Sequence, residues 1–132
     1  MIVVYDDLYT EHLRSVRHPE SPDRVAFVAE HLERAGLFAK RLPARDASDA
    51  ELERVHPHAY LERVKRDVAN VGARGGYLST GDTVIDASSL QVARRAAGGA
   101  IAAMESAVAT NAAAFALVRP PGHHAEPARG MG

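Results

Sequence analysis

Residues 112–124 read AAAFALVRPPGHH, an apolar run of strand length that ends in a Pro-Pro-Gly turn and two adjacent histidines. The run is apolar at consecutive positions, and not only at alternate ones. This pattern is typical of a parallel strand whose two faces are both covered by helices. We therefore predict that residues 113–118 form a parallel strand of an α/β sheet.

The remaining layers follow from one more strand signal and two strong helix signals. Residues 2–5, IVVY, predict a first strand that lies parallel to the last strand, beside it or one strand away. Helices are predicted at residues 22–35, between a cap at Ser21 and a left-handed stop at Gly36, and at residues 88–110. We expect both helices to cover the sheet.

Shorter elements are predicted between these two helices. Ser48 and Glu51 have the spacing of a capping box, which indicates a short helix. A further amphipathic helix starts at Pro57 and stops near Gly72, with Tyr60 and Leu61 expected in the core. Residues 73–84, ARGGYLSTGDTV, are rich in Gly, Ser and Thr and are predicted to form a loop.

The long helix contains two adjacent glycines, Gly98 and Gly99. Each costs about 1 kcal/mol relative to alanine in a helix interior. Such residues are typical of places where another backbone comes very close. We therefore predict the closest backbone contact of this helix at Gly98–Gly99.

Composition restricts the classes of function. The chain has 132 residues, 46% of them hydrophobic and 25% charged, which suits one soluble domain. A formal net charge of −1 gives no basis for nucleic-acid or anionic-membrane binding. No cysteine is present, so disulfides and thiolate metal sites are excluded, and the N-terminus resembles neither a signal peptide nor a membrane span. We expect a cytoplasmic protein.

The adjacent histidines, His123 and His124, are the candidate catalytic residues. They follow a predicted parallel strand, and functional groups collect past the carboxyl ends of such strands. Neighbouring side chains of an extended segment point to opposite sides, so we expect one imidazole to act as general base and the other as its electrostatic partner. The alternative is two loop histidines, one solvated and one hydrogen-bonded.

Four stretches, in this order along the chain, resemble motifs of the histone deacetylase superfamily. They are HPESPDR at 18–24, RVHPHAYLERV at 54–64, GDTVIDASSLQVARRAAGGA at 81–100 and RPPGHHAEPARGMG at 119–132. The last is similar to the tandem-histidine motif of class II enzymes, acetylpolyamine amidohydrolases and acetoin-utilisation proteins. The resemblance implies an arginase/deacetylase-like parallel sheet with helices on both faces, of which residues 1–132 are the N-terminal portion.

The resemblance also implies a reaction and two catalytic residues. Members of this family use Zn²⁺ to hydrolyse N-acetyl amides of protein lysine or of polyamines, releasing the amine and acetate. His124 matches the general base that activates the zinc-bound water, and His123 matches its partner. The sequence leaves open which of the two substrates applies, and it leaves the oligomeric state open.

Four further positions match substrate-handling residues of the family. Asp82 and Thr83 match residues at the rim of the active site, Gly132 matches the start of a Gly-Phe segment that lines the acyl-lysine channel, and Arg24 matches an arginine at the inner end of that channel, where acetate leaves. Plain turn chemistry is the alternative for Asp82, and a surface position is the alternative for Arg24.

The chain departs from the family in its metal ligands. The family's zinc ligands, an Asp-x-His pair and a later aspartate, lie beyond the Gly-Phe segment, so no residue here is assigned as a ligand. Zinc roles for His12, His18 and Glu20 are not expected, and His56 and His58 are predicted to be cap or surface residues. We expect the N-terminal portion of a longer deacetylase, inactive by itself. The alternative is a naturally short, non-catalytic binding or assembly module.

Overall fold

The computed structural model describes residues 1–72 and 74–131, which fold around a parallel three-stranded sheet. The strands are β1 (Ile2–Tyr5), β2 (Arg41–Pro43), β3 (Gly76–Tyr77), β4 (Val84–Ile85) and β5 (Ala114–Ala116). The helices are α1 (Pro22–Arg34), α2 (Asp49–Leu52), α3 (His58–Asn70) and α4 (Ser89–Thr110), with a 3₁₀ turn at Asp7–Thr10.

The main sheet has the order β2-β1-β5, with β1 parallel to both neighbours. Val3 is in register with Phe115 of β5 and with Arg41 of β2. The predicted parallel pairing of the first and last strands is therefore confirmed. Strand β2 was not predicted, because its three residues, RLP, carry neither an apolar run nor a clear alternation.

The core lies on both sides of β1, whose residues Val3, Val4 and Tyr5 are all buried. One core cluster joins β1 to apolar side chains from both long helices: Val25 and Ala29 of α1, and Val92 and Ala96 of α4. These helices cover the sheet as predicted. Strand β5 differs from its prediction in one respect, because Phe115 is 40% exposed and the face of the strand that bears it is not fully covered.

The helix ends follow the sequence signals, with one exception. Ser48 and Glu51 form the complete capping box at α2. Gly36 has a φ of 69° after α1, and the amide of the next residue, Leu37, donates to the Leu32 carbonyl at 2.9 Å, which closes a Schellman-type end. Ser21 occupies the N-cap position of α1, but its side chain makes no capping hydrogen bond.

Gly98 and Gly99 lie where α4 meets other parts of the chain. A Cβ atom on Gly98 would overlap the backbone of residues 45–47, and the amide of Ala47 donates to the Arg94 carbonyl of α4 at 3.0 Å. A Cβ on Gly99 would meet the hydroxyl of Tyr9 at 2.6 Å. The predicted close approach of another backbone is confirmed at Gly98.

The segment predicted to be a loop at 73–84 contains an antiparallel hairpin of β3 and β4, with Tyr77 paired to Val84. Both strands have only two residues, so periodicity gave no sign of them. The hairpin is fixed to α3, because the amide and hydroxyl of Ser79 both donate to the Asp67 carboxylate. No helix among the described residues has the length and apolar character needed to cross a membrane.

Candidate functional site

The candidate site is a segment that follows β5, residues 119–131, which we call the histidine loop. It begins at the carboxyl end of β5, where the Leu117 amide still donates to the Val4 carbonyl at 3.0 Å. Functional groups in parallel α/β folds collect at this end of the sheet. The sheet therefore places His123 and His124 where the sequence predicted them.

The two histidine rings lie side by side. Their centroids are 4.0 Å apart with an interplanar angle of 47°, and both side chains are exposed. The segment is not extended but forms a turn, in which the Ala125 amide donates to the Gly122 carbonyl at 2.9 Å. The prediction that the imidazoles point to opposite sides is therefore wrong, since the turn brings them together.

The start of the loop is held by Arg119, a residue that sequence reasoning did not single out. Its side chain is 2% exposed. Nε donates to Glu20 Oε1 at 2.8 Å, and the terminal nitrogens donate to the backbone carbonyls of Tyr9, His12 and Glu20. The available signal was a lone charged residue placed directly after the apolar run at residues 112–118.

The end of the loop is held by α3 and by the hairpin. His56 Nδ1 lies 2.8 Å from the Pro127 carbonyl oxygen, and the His56 ring packs on Tyr60 with centroids 5.2 Å apart. His56 was predicted to be a cap or surface residue, but it is half-buried and contacts the loop. Leu61 is buried as predicted, whereas Tyr60 is half-buried beside a cleft.

The hairpin turn that carries Asp82 and Thr83 packs against the end of the histidine loop. A Cβ on Gly81 would lie 2.5 Å from the Gly130 carbonyl oxygen, and a Cβ on Gly130 would lie 3.0 Å from Thr83 Oγ1. Thr83 is half-buried and Asp82 is exposed. The structure thus brings the predicted rim segment into contact with the loop that bears the histidines.

Among the described residues, the Arg24 side chain makes no hydrogen bond or ion pair with His123 or His124. Arg24 lies in the first turn of α1, with an exposed side chain and its amide bonded to the Ser21 carbonyl at 3.2 Å. Gly132 lies outside the described residues. The proposed channel roles of both residues therefore remain predictions.

An apolar cleft of about 400 Å³ lies beneath the histidine loop. It is bounded by α3, α4, the hairpin and Pro120–Gly122 of the loop. At one wall the buried His12 ring contacts Ser89 Oγ through Nδ1 at 2.9 Å. Burial lowers the pKa of His12 from 6.5 to about 4, helped by the nearby positive charge of Arg119. Across the cleft, burial raises the pKa of Tyr60.

Among residues 1–72 and 74–131, no three side chains of His, Cys, Asp or Glu come together in a way that could hold a metal ion. A catalytic zinc needs three protein ligands. The described residues do not meet that requirement by themselves. What the described part of the chain does offer is a pair of proton-transfer groups, the His123 and His124 imidazoles.

A parallel sheet covered by helices, with polar side chains past a strand end, defines an α/β domain. The histone deacetylase domain family matches residues 18–132. The chain is 44% identical over 119 residues to a histone deacetylase-like amidohydrolase of Pseudomonas aeruginosa, covering 87% of this chain and 30% of that protein. It is 33% identical over 135 residues to a probable deacetylase of Archaeoglobus fulgidus, covering 98% and 36%.

A solved structure agrees with these sequence relatives. The crystal structure of the HDA15 HD domain superposes with a TM-score of 0.84 at 32% identity, covering 99% of this chain and 38% of that one. The chain belongs to the histone deacetylase family. It spans about a third of the length of these relatives.

Proposed function

We propose that this chain is the N-terminal portion of a zinc-dependent deacetylase domain that hydrolyses N-acetyl amides of lysine or polyamines. The observation that carries the proposal is the paired imidazoles of His123 and His124, 4.0 Å apart, at the carboxyl end of β5. The family is zinc-dependent. We assign the metal ligands to parts of the protein beyond the described residues, and we derive no step through the metal.

The histidine pair would transfer protons during amide hydrolysis. In our proposal, His124 accepts a proton from the attacking water as the new C–O bond forms. The proton is then delivered to the nitrogen of the leaving amine as the C–N bond breaks, leaving the free amine and acetate. Histidine suits both transfers near neutral pH. His123, whose ring packs on His124, would tune the charge of that base.

The other matched residues would handle the substrate. Asp82 and Thr83 would form the rim near the loop, Gly132 would line the acyl channel, and Arg24 would lie where acetate leaves. The contact between the hairpin turn and Gly130 supports the rim assignment. The exposure of Arg24 is compatible with a channel role only when further parts of the domain pack against α1.

A chimera tests the proposal. Residues 18–131 would replace the matching segment of the Pseudomonas relative, and the purified, zinc-loaded protein would be assayed with an acetyl-lysine peptide and with an acetylpolyamine. We expect turnover on at least one substrate. Removing a general base costs about 10²–10⁴-fold, so His124→Ala should lower kcat by that factor with little change in KM.

The matched control is His58→Ala, which removes an exposed imidazole at the start of α3. It should leave kcat unchanged. His123→Ala should also lower kcat, but with a different pH–rate profile, because this ring would tune charge and not take the reacting proton. A folded, zinc-loaded chimera without turnover, or one in which His124→Ala keeps the parental kcat, would refute the catalytic proposal and favour the binding module.

A further inference from the structure

Arg119, the first residue of the histidine loop, is buried. Its guanidinium connects the segment after β5 to residues 9–12 and to residue 20, about a hundred positions earlier in the chain. The other arginine–carboxylate pairs of the described chain are more exposed, for example Arg95–Asp6, with side chains 23% and 25% exposed. In Arg119–Glu20 these values are 2% and 15%.

The set of acceptors requires an arginine. A guanidinium has five N–H donors in a rigid planar fork, and here three of its nitrogens reach one carboxylate oxygen and three carbonyl oxygens. A lysine ammonium would keep the positive charge beside Glu20, but as a single point it could not reach all of these acceptors. The geometry therefore fixes both the position and the orientation of the residue 119 side chain.

This fixed point is close to the histidines and stiffly linked to them. Only Pro120, Pro121 and Gly122 separate Arg119 from His123. Each proline ring restricts φ to about −65°, so two of the three linking residues have one backbone angle fixed. We therefore expect a movement of Arg119 to reach the turn that pairs the two rings.

We propose that Arg119, with Glu20 as its carboxylate partner, is a positioning residue that sets the place and pairing of His123 and His124. The inference rests on the proposed function for its catalytic meaning. The effect on the loop does not depend on turnover, and it can be measured on the 132-residue chain directly.

The experiment is NMR on Arg119→Met, Arg119→Lys and Glu20→Gln, under conditions where circular dichroism shows each variant folded. Two readouts are followed: the nuclear Overhauser effects between the His123 and His124 rings, and the backbone order parameters of residues 122–125. The matched control is Arg63→Met, which removes an exposed arginine on α3.

In Arg119→Met we expect the ring-to-ring effects to vanish and the order parameters to fall from about 0.85 to below about 0.6. Arg119→Lys should keep part of both the Overhauser effects and the order parameters. The values for Glu20→Gln should lie between those of Arg119→Met and the wild type, and those for Arg63→Met should match the wild type. A folded Arg119→Met or Arg119→Lys with wild-type ring contacts would overturn the inference. So would unfolding of all three variants, because the ion pair would then hold the fold and not the loop.

The chimera described above separates this inference from the proposed function. There, Arg119→Lys should lower kcat by about 10²-fold at similar KM, as expected when a catalytic group is misplaced by roughly 1 Å. If the parent chimera shows no turnover, the proposed function is refuted, and the NMR result alone decides the role of Arg119. Turnover unaffected by Arg119→Lys would count against positioning even if the loop moved.

Discussion

Gly98→Ala should destabilise the protein, although alanine is the better helix former. The exchange by itself favours the folded helix by about 1 kcal/mol. Against this, the new Cβ would lie 2.7 Å from the Ala47 nitrogen and 2.7 Å from the Asp46 carbonyl carbon, and closer still to the Arg45 oxygen. All three are backbone atoms, which cannot rotate away as a side chain can.

Relief of this overlap requires the whole segment 45–47 to move away from α4. That movement stretches the hydrogen bond from the Ala47 amide to the Arg94 carbonyl, at a cost of about 1 kcal/mol. Overpacking of a close contact adds about 1–3 kcal/mol. With the helix-propensity gain subtracted, we expect a net loss of about 1–3 kcal/mol in the free energy of unfolding.

Urea unfolding followed by far-ultraviolet circular dichroism measures this loss. Ala100→Gly is the matched control, because Ala100 is exposed on the same helix and should lose about 1 kcal/mol from propensity alone. Gly99→Ala should lower the free energy of unfolding less than Gly98→Ala, because its Cβ meets the Tyr9 hydroxyl and a Val118 methyl, which are side-chain atoms. Gly99→Leu should still lower it by about 1–3 kcal/mol. A Gly98→Ala protein as stable as the wild type would refute this reasoning.

Three further predictions concern a cap, a buried base and a metal. Ser48→Ala should lower the free energy of unfolding by about 1 kcal/mol in the same urea assay, because it removes the acceptor for the Glu51 amide. The pKa of His12 is about 4 in the folded protein and 6.5 in the unfolded chain, so the unfolded chain binds more protons between these two pH values. The free energy of unfolding should therefore fall as the pH drops from 6.5 to 4, by at most about 1.4 kcal/mol per pH unit. His12→Asn should flatten that slope in urea titrations over the same pH range. Isothermal titration of the 132-residue chain with zinc should show no sub-micromolar stoichiometric site, because no three candidate ligands cluster among its described residues. Such a site, found together with turnover, would contradict the assignment of the zinc ligands to other parts of the protein.

The elements that sequence predicted well are those whose signal lies within a short window. Strands β1 and β5 follow from consecutive apolar residues, and the ends of α1 and α2 follow from Gly36 and from the Ser48–Glu51 box. Strand β2 and the β3–β4 hairpin have only two or three residues each. Strand β2 pairs with the distant strand β1, and the two hairpin strands pair only with each other, so neither leaves a periodic pattern in the sequence.

The candidate site likewise has one part that a local pattern predicts and one part that depends on contacts no local pattern shows. The place of His123 and His124 was predictable, because it depends on a strand and the turn directly after it. Their relative orientation was not, because the hydrogen bond from Ala125 to Gly122 converts the segment from extended to a turn. Arg119 escaped notice for a similar reason, since its acceptors come from residues about a hundred positions earlier in the chain.

Arg119 connects two sequence motifs that lie far apart along the chain. Glu20 belongs to HPESPDR at 18–24, so this N-terminal motif touches the tandem-histidine motif through a buried ion pair. The family match begins at residue 18, yet Tyr9 and His12 also accept hydrogen bonds from Arg119. The segment before the matched domain therefore belongs to the same structural unit as the histidine loop. If Arg119 sets the pairing of the two rings, the residues that follow β1 contribute to the site without carrying any of its chemistry.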